Sequence, residues 1–135
     1  MTRAPEPGAL NAPHRKEKRL VKRVYALVPD LFFMSKIGAT AARVGVVVEE
    51  LRASRAITAC RHDPPDLLIV DLHGEGDPLE VIRVLKADDA TRGIRIVGFY
   101  SHVDQSLRER AQRVGADAVM PRSAFTMKLP EILSA

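Results

Sequence analysis

A short, almost continuously apolar segment that ends in an acid constrains the fold of this chain most strongly. Residues 66–72 read Asp-Leu-Leu-Ile-Val-Asp-Leu, and the run from Leu67 to Val70 contains no polar side chain. Such a run is typical of a strand that is buried on both faces of a parallel sheet. Parallel strands need long crossover connections, which helices usually supply. We therefore expect an α/β fold in which Asp71 ends a central strand.

Strand-like apolar runs alternate with stretches of helical period along the rest of the chain. The predicted strands are residues 23–28, 46–48, 66–72, 94–100 and 116–120. The predicted helices run from an N-cap at Asp30 to a stop at Gly45, over residues 54–61, from Pro78 onward, over 103–114, and over about 125–133. Pro130 within the last helix predicts a late start or a bend.

Five strands and five helices in strict alternation predict a doubly wound, five-stranded parallel sheet in a three-layer α/β/α sandwich. The favoured strand order is 2-1-3-4-5. The chain has 135 residues, of which 46% are hydrophobic and 28% are charged, so its size and composition fit one globular domain. No apolar run approaches the roughly 20 residues that a membrane helix needs, and we expect no membrane span.

The positive charge of the chain is concentrated at its N-terminus. The formal net charge is +4, and residues 1–23 contain seven Lys and Arg side chains but only two Glu. The prolines at positions 5, 7 and 13 disfavour regular structure there. We predict a flexible basic arm over residues 1–23 ahead of a nearly neutral domain over residues 24–135. Such an arm attracts nucleic acid, anionic lipid or an acidic partner, and a solvated leader is the alternative.

The cysteine and histidine content excludes several classes of function. The lone cysteine, Cys60, cannot form a disulfide within the chain, and no apolar leader is present, so a cytoplasmic location is expected. We expect Cys60 to be a buried structural thiol. His14, His62 and His102 lack the spacing of zinc ligands, and the sequence has no phosphate-loop or dinucleotide-binding motif.

In a doubly wound sheet the ligand site lies beyond the carboxyl ends of the strands, where the strand order reverses. This rule brings together Asp30 after the first strand, Asp71 and His73 after the third, Ser101 after the fourth and Arg122 after the fifth. An acid, a hydroxyl and a cation are the groups that an aspartyl-phosphate chemistry needs. The carboxylate attacks a phosphoryl donor while the other groups neutralise or hydrogen-bond its oxygens.

Three segments carry a resemblance to a known family. Leu-Leu-Ile-Val-Asp at 67–71 is similar to a strand that ends in a phosphoacceptor aspartate, and Val-Gly-Phe-Tyr-Ser at 97–101 to a strand that ends in a switch hydroxyl. The run over 113–125 resembles a segment that passes through a Gly-Ala-Asp turn to a Lys-Pro dipeptide, with Arg122 at the lysine position. These are features of response-regulator receiver domains of two-component signalling. The resemblance covers residues 24–135 and implies a flavodoxin-like fold.

The resemblance implies a role for each residue of the site. Asp71 would be the phosphoacceptor, Ser101 would hydrogen-bond the added phosphoryl group, and Arg122 would be the cation that binds it. A weak Mg²⁺ site would consist of Asp30, Asp71 and the backbone carbonyl of His73. This chain has Pro-Asp at 29–30 where the family has two acids. A pocket that works without phosphorylation is therefore the alternative to a phosphoacceptor.

The resemblance also implies a non-enzymatic, stand-alone signalling protein of a phosphorelay that acts by contact with other proteins. A histidine kinase or phosphotransfer protein would act upstream. A downstream partner would bind the face formed by the fourth helix, the fifth strand and the fifth helix, residues 103–114 and 116–133. A homodimer is a further expectation.

Two other functions stay open at this point. The basic arm, residues 1–23, would serve a nucleic-acid-associated or scaffold adaptor. In addition, Asp71, His73 and Gly76 match the Asp-x-His-x-x-Gly motif of cobalamin-binding carrier domains, whose histidine coordinates cobalt. In those domains the motif follows the first strand, whereas here it follows the third predicted strand.

Overall fold

The computed structural model describes residues 21–101 and 104–135, in which five strands alternate with five helices. The strands are β1 Arg23–Leu27, β2 Val47–Glu50, β3 Leu67–Asp71, β4 Arg95–Tyr100 and β5 Ala118–Pro121. The helices are α1 Leu31–Val44, α2 Ala53–His62, α3 Pro78–Ala87, α4 Gln105–Arg113 and α5 Arg122–Ser134. Most of the predicted basic arm, residues 1–20, lies outside the described residues, as do His102 and Val103.

The five strands form one parallel sheet in the order β2-β1-β3-β4-β5, which confirms the predicted topology. The central strand β3 pairs with β1 at Ala26 opposite Ile69, and with β4 at Ile69 opposite Val97. All four residues from Leu67 to Val70 are fully buried. Both faces of β3 are covered, which explains why the run from Leu67 to Val70 is continuously apolar, as inferred from the sequence.

Helices cover both faces of the sheet, and each face has its own core. On one face α1 and α5 pack over the strands around Ile37, Phe99 and Phe125. On the other face α2, α3 and α4 enclose Cys60 and Ile82. The predicted three-layer sandwich is confirmed. No helix within the described ranges is long and apolar enough to cross a bilayer.

Local signals fix both ends of α1 where the sequence places them. The Asp30 carboxylate accepts hydrogen bonds from the backbone N–H groups of Phe32 and Phe33, at 3.0 and 3.1 Å. These groups would otherwise lack partners at the start of the helix. At the other end Gly45 adopts a left-handed backbone with φ of 75°, which glycine reaches without a steric cost.

The edge strand β2 lies further along the chain than predicted. It covers Val47–Glu50, whereas the sequence suggested residues 46–48. Pairing with β1 extends to Ala26 opposite Glu50, so both glutamates at 49 and 50 belong to the strand. Their side chains are exposed because β2 is the outer strand, where charged residues are tolerated. The short β-branched run was therefore an incomplete guide to this strand.

The prediction of a late start for α5 was wrong. The helix begins at Arg122, directly after β5, and continues through Pro130. A proline inside a helix removes one backbone hydrogen bond and costs about 3 kcal/mol. Burial of Phe125, Leu129 and Leu133 against the sheet offsets this cost, since each is at most 1% exposed.

Two aspartates bind backbone N–H groups at the amino edge of the sheet, which is the edge where the parallel strands begin. Asp66 accepts a hydrogen bond from the backbone N–H of Arg23 at 2.9 Å, and Asp117 accepts one from that of Ile96 at 2.7 Å. Asp117 also pairs with the Lys86 ammonium at 2.9 Å. Lys86 in turn donates to two backbone carbonyls of the segment before β4, at 3.0 and 2.7 Å. Hydrogen bonds and one ion pair thus connect the starts of the strands, the segment before β4 and helix α3.

Cys60 lies in α2 and is completely buried, as the sequence predicts. Burial raises the pKa of its thiol to about 12, because the apolar surroundings disfavour the thiolate. The thiol is therefore protonated and unreactive at neutral pH.

Candidate functional site

The predicted site residues lie along the carboxyl edge of the sheet. Asp71 is the last residue of β3, Ser101 directly follows β4, and Arg122 directly follows β5. Asp30 comes three residues after the end of β1 and begins α1 as its N-cap. Strands that run parallel end at the same edge, so the topology gathers these four residues from distant parts of the chain.

Asp71 is half-buried and participates in a tight turn. One of its carboxylate oxygens accepts a hydrogen bond from the backbone N–H of His73 at 2.9 Å, and its carbonyl accepts one from Gly74 at 2.9 Å. A Cβ at Gly74 would lie 3.1 Å from the Asp71 carbonyl oxygen and 3.4 Å from the Pro29 ring. The turn after β3 therefore lies close against the end of β1. Within the described residues, the second carboxylate oxygen of Asp71 has no hydrogen-bond partner.

The Asp30 carboxylate uses both of its oxygens within the fold. Oδ1 caps α1, and Oδ2 accepts a hydrogen bond from Nη2 of Arg122 at 3.1 Å. The backbone N–H of Phe33 and the Arg122 guanidinium, in that order, hold the pKa of Asp30 below its ordinary value. Asp30 is therefore ionised at neutral pH and is already paired with a cation.

Aromatic rings support the guanidinium of Arg122. Its central carbon lies 4.1 Å from the centroid of the Phe33 ring and 5.7 Å from that of Phe99. Phe99 stacks on Phe125 with the centroids 4.8 Å apart, and Phe33 meets Phe99 edge-on at 5.2 Å. Contact between a cation and ring faces is favourable, more so where water is excluded. Arg122 is thus held from two sides, by a carboxylate and by rings.

One atom of Arg122 is left without a partner. Its Nε is buried and makes no hydrogen bond among the residues that the structure describes. Leaving a buried donor unsatisfied is unfavourable. The ion pair with Asp30 and the contact with the rings therefore hold the guanidinium in place despite this cost.

The hydroxyl-bearing residue of the predicted site, Ser101, is exposed where it follows β4. It makes no hydrogen bond to Asp71 or to any other described residue. The two residues that follow it, 102 and 103, lie outside the described part of the chain.

An open cavity of about 500 Å³ adjoins Asp71 on the side of α2 and α3. Its charged lining residues include Glu50, Arg52 and Glu75, none of which the sequence argument selected. Glu50 ends β2, while Arg52 and Glu75 follow β2 and β3, so the rule that places ligand sites at the carboxyl ends could have found them. The sequence motifs did not reveal these three residues, because none of them belongs to a recognised pattern.

The donor groups at this edge do not fit a divalent cation. No three His, Cys, Asp or Glu side chains within residues 21–101 and 104–135 come close enough together to hold a metal ion. Asp30 is occupied by hydrogen bonds, and Pro29 offers no side-chain oxygen. Mg²⁺ demands near-octahedral oxygen ligands and gives up its water reluctantly. The Mg²⁺ site predicted at Asp30, Asp71 and the His73 carbonyl is therefore not supported by the donor set.

Comparison with solved structures shows that this fold is the fold of response-regulator receiver domains. The phosphorylated cyanobacterial phytochrome response regulator RcpA is 19% identical with a TM-score of 0.72, over 84% of this chain and 89% of that one. The chemotaxis response regulator CheY4 of Vibrio cholerae is 15% identical with a TM-score of 0.74, over 84% of this chain and 97% of that one.

A response regulator from Burkholderia pseudomallei, solved with a phosphorylated aspartic acid, a calcium ion and citrate, is 19% identical with a TM-score of 0.71. The alignment covers 83% of this chain and 66% of that one. No protein-family model matches the sequence, and no curated protein matches it. Identities at this level show a shared fold. The chemistry of the pocket depends on the residues of this chain.

Proposed function

We propose that this chain is a receiver-type signalling module that acts through contact with other proteins, and whose Asp71 pocket works without accepting a phosphoryl group. The observation that carries this proposal is the commitment of both Asp30 oxygens, one to the start of α1 and the other to Arg122. The sequence leaves a phosphoacceptor and a phosphorylation-independent pocket equally open. The occupied carboxylate favours the second, because the acid that would hold a metal is already used.

The position of Arg122 suggests how the pocket communicates with a surface. Arg122 is the first residue of α5, while its guanidinium contacts Asp30 and Phe33 at the start of α1. A contact that moves the guanidinium away from Asp30 therefore acts on the beginning of α5. A partner that binds α5 would in turn favour one arrangement of the pocket, which is the population shift expected of a switch.

The face of α4, β5 and α5 has features of a binding surface. Met127 on α5 is 83% exposed, and α4 exposes charged and polar side chains along its outer side. Methionine is enriched at protein interfaces relative to the rest of the surface. We propose this face for the downstream partner. A histidine kinase or phosphotransfer protein upstream, a homodimer and a cytoplasmic location stay predictions.

Treatment with phosphoramidate and Mg²⁺ tests the first part of the proposal. Intact-mass spectrometry should show no added phosphoryl group on the wild-type chain or on Asp71→Asn, while RcpA in the same reaction serves as a positive control. A phosphoryl group that is added to the wild type, is removed by hydroxylamine and is absent from Asp71→Asn would instead establish Asp71 as a phosphoacceptor.

Affinity capture from a lysate of the source organism tests the proposed face. Met127→Glu should lose proteins that the wild type retains, since the change replaces an exposed apolar side chain of α5 with a charge. Val47→Glu is the matched control, because Val47 is 51% exposed on the opposite edge strand. Equal loss from both variants, or from neither, would remove this face from the proposal.

A further inference from the structure

The carboxyl edge carries a cation of its own. We infer that the Arg122 guanidinium takes the place of a divalent metal ion beside Asp30, and that this ion pair keeps Mg²⁺, Mn²⁺ and Ca²⁺ away from the carboxyl edge. This inference rests on the assignment of the Asp71 pocket made above. Arg122 is then the positive charge that balances the acidic side chains of the edge, and the pocket needs no metal ion.

A divalent metal ion at this edge would need carboxylate ligands. A hard divalent cation at this edge would require a carboxylate oxygen from Asp30 as well as one from Asp71. Oδ1 of Asp30 is held by two backbone N–H groups of α1, and Oδ2 lies 3.1 Å from the Arg122 guanidinium. A metal ion at Oδ2 would have to share this oxygen with the guanidinium, whose positive charge repels it.

Contact with an aromatic ring holds the Arg122 guanidinium in place. The flat guanidinium lies against the ring of Phe33 at 4.1 Å, and its Nε is buried without a partner among the described residues. Arginine suits this position because a planar, weakly hydrated cation stacks on rings, whereas a lysine ammonium is compact and strongly hydrated. The side chain begins at the first residue of α5, so the backbone of that helix fixes its origin.

The cavity beside Asp71 has more acidic than basic lining residues. The pocket side of this edge has Asp71, Glu50 and Glu75 among its lining residues, with Arg52 as the one lining cation among the described residues. Receivers that use metal would neutralise such an edge with a divalent ion. Here Arg122 supplies a permanent positive charge at the same edge, paired with Asp30, and it is present without any ligand.

Titration of the full chain with Mn²⁺, followed by backbone NMR, tests the inference. Mn²⁺ broadens the signals of nuclei near its site. In the wild type we expect no saturable broadening at the amides of Asp30, Asp71 or Gly74. In Arg122→Gln we expect broadening at these amides that saturates at a Mn²⁺ concentration at least about tenfold below the highest one at which the wild type shows none. The double variant with Asp71→Asn should lose that gain.

Saturable broadening in the wild type would overturn the inference, and so would the absence of any gain in a folded Arg122→Gln. If the glutamine variant gives a poorly dispersed spectrum, Arg122→Lys is the second variant, since it keeps the charge but not the flat contact with Phe33. A gain in the same direction supports the inference, and no gain overturns it. Metal binding by the wild type without phosphorylation or loss of partners would leave the proposed contact function intact.

Discussion

The aspartates at the two edges of the sheet differ in how completely the fold uses their carboxylate oxygens. At the amino edge, Asp66 and Asp117 accept hydrogen bonds from the N–H groups of strands, and Asp117 also pairs with Lys86. At the carboxyl edge, Asp71 keeps one oxygen unbonded among the described residues and lies beside a cavity of about 500 Å³. Both aspartates of the amino edge are thus bonded to neighbouring elements, whereas Asp71 at the carboxyl edge uses one oxygen for a local turn and has the other available within the described part of the chain.

Helix direction gives a physical reason for this difference. Each of the five helices begins at the carboxyl edge and ends towards the amino edge. Helix N-termini carry partial positive charge and free N–H groups, and C-termini carry partial negative charge. The carboxyl edge therefore favours anionic side chains such as Asp30 and Asp71. The amino edge favours a cation such as Lys86, which lies in the last turn of α3.

The largest expected effect comes from the rings beneath Arg122. Phe125→Ala should lower the free energy of unfolding by about 3–5 kcal/mol, because it leaves a cavity where a fully buried ring stacks on Phe99. Urea denaturation measures this loss. Phe125→Leu, which keeps most of the volume, should cost less than half as much. A loss below about 1 kcal/mol for the alanine variant would contradict the view that the binding edge rests on a rigid core.

An intermediate effect is expected at the amino edge. Asp117→Asn should lower the free energy of unfolding by about 1–3 kcal/mol, because Lys86 then lacks its counter-charge while its side chain is only 16% exposed. The amide can still accept the hydrogen bond from Ile96, so the loss reports mainly on the ion pair. Thermal and urea unfolding at low and high salt would measure it. An unchanged stability would remove the distinction between the two edges.

The same substitution at the carboxyl edge should have the smallest effect. Asp71→Asn should change the free energy of unfolding by no more than about 0.5 kcal/mol in either direction, since the asparagine oxygen can still accept from His73. Asp117→Asn is its matched control, measured under identical conditions. A loss at Asp71 as large as that at Asp117 would show that this carboxylate serves stability.

Features with local causes could be predicted from the sequence. Asp30 and Gly45 mark the ends of α1 by their own chemistry, and the apolar run of β3 predicts a buried central strand. The start of α5 could not be predicted, because the cost of Pro130 is outweighed by packing against distant strands. The roles assigned to Asp71 and Ser101 rest on the resemblance and stay predictions.

The pairing of Asp30 with Arg122 could not be predicted from spacing, since 92 residues separate the two. Placing both at one edge follows from the topology. Their direct contact depends on how α1 and α5 pack side by side, and that packing depends on the rings of Phe33 and Phe125. No local pattern in the sequence records such a contact.

The ring cluster of Phe33, Phe99 and Phe125 also constrains the order in which the molecule folds. Its members belong to α1, β4 and α5, so the cluster closes only after nearly the whole described chain has been synthesised and folded. A nascent or partly folded chain presents Asp71 and Asp30 without the guanidinium between Asp30 and the rings. The contact between Asp30 and Arg122 therefore forms only after α5 has packed against α1 and β4, so this feature of the edge belongs to the completed fold alone.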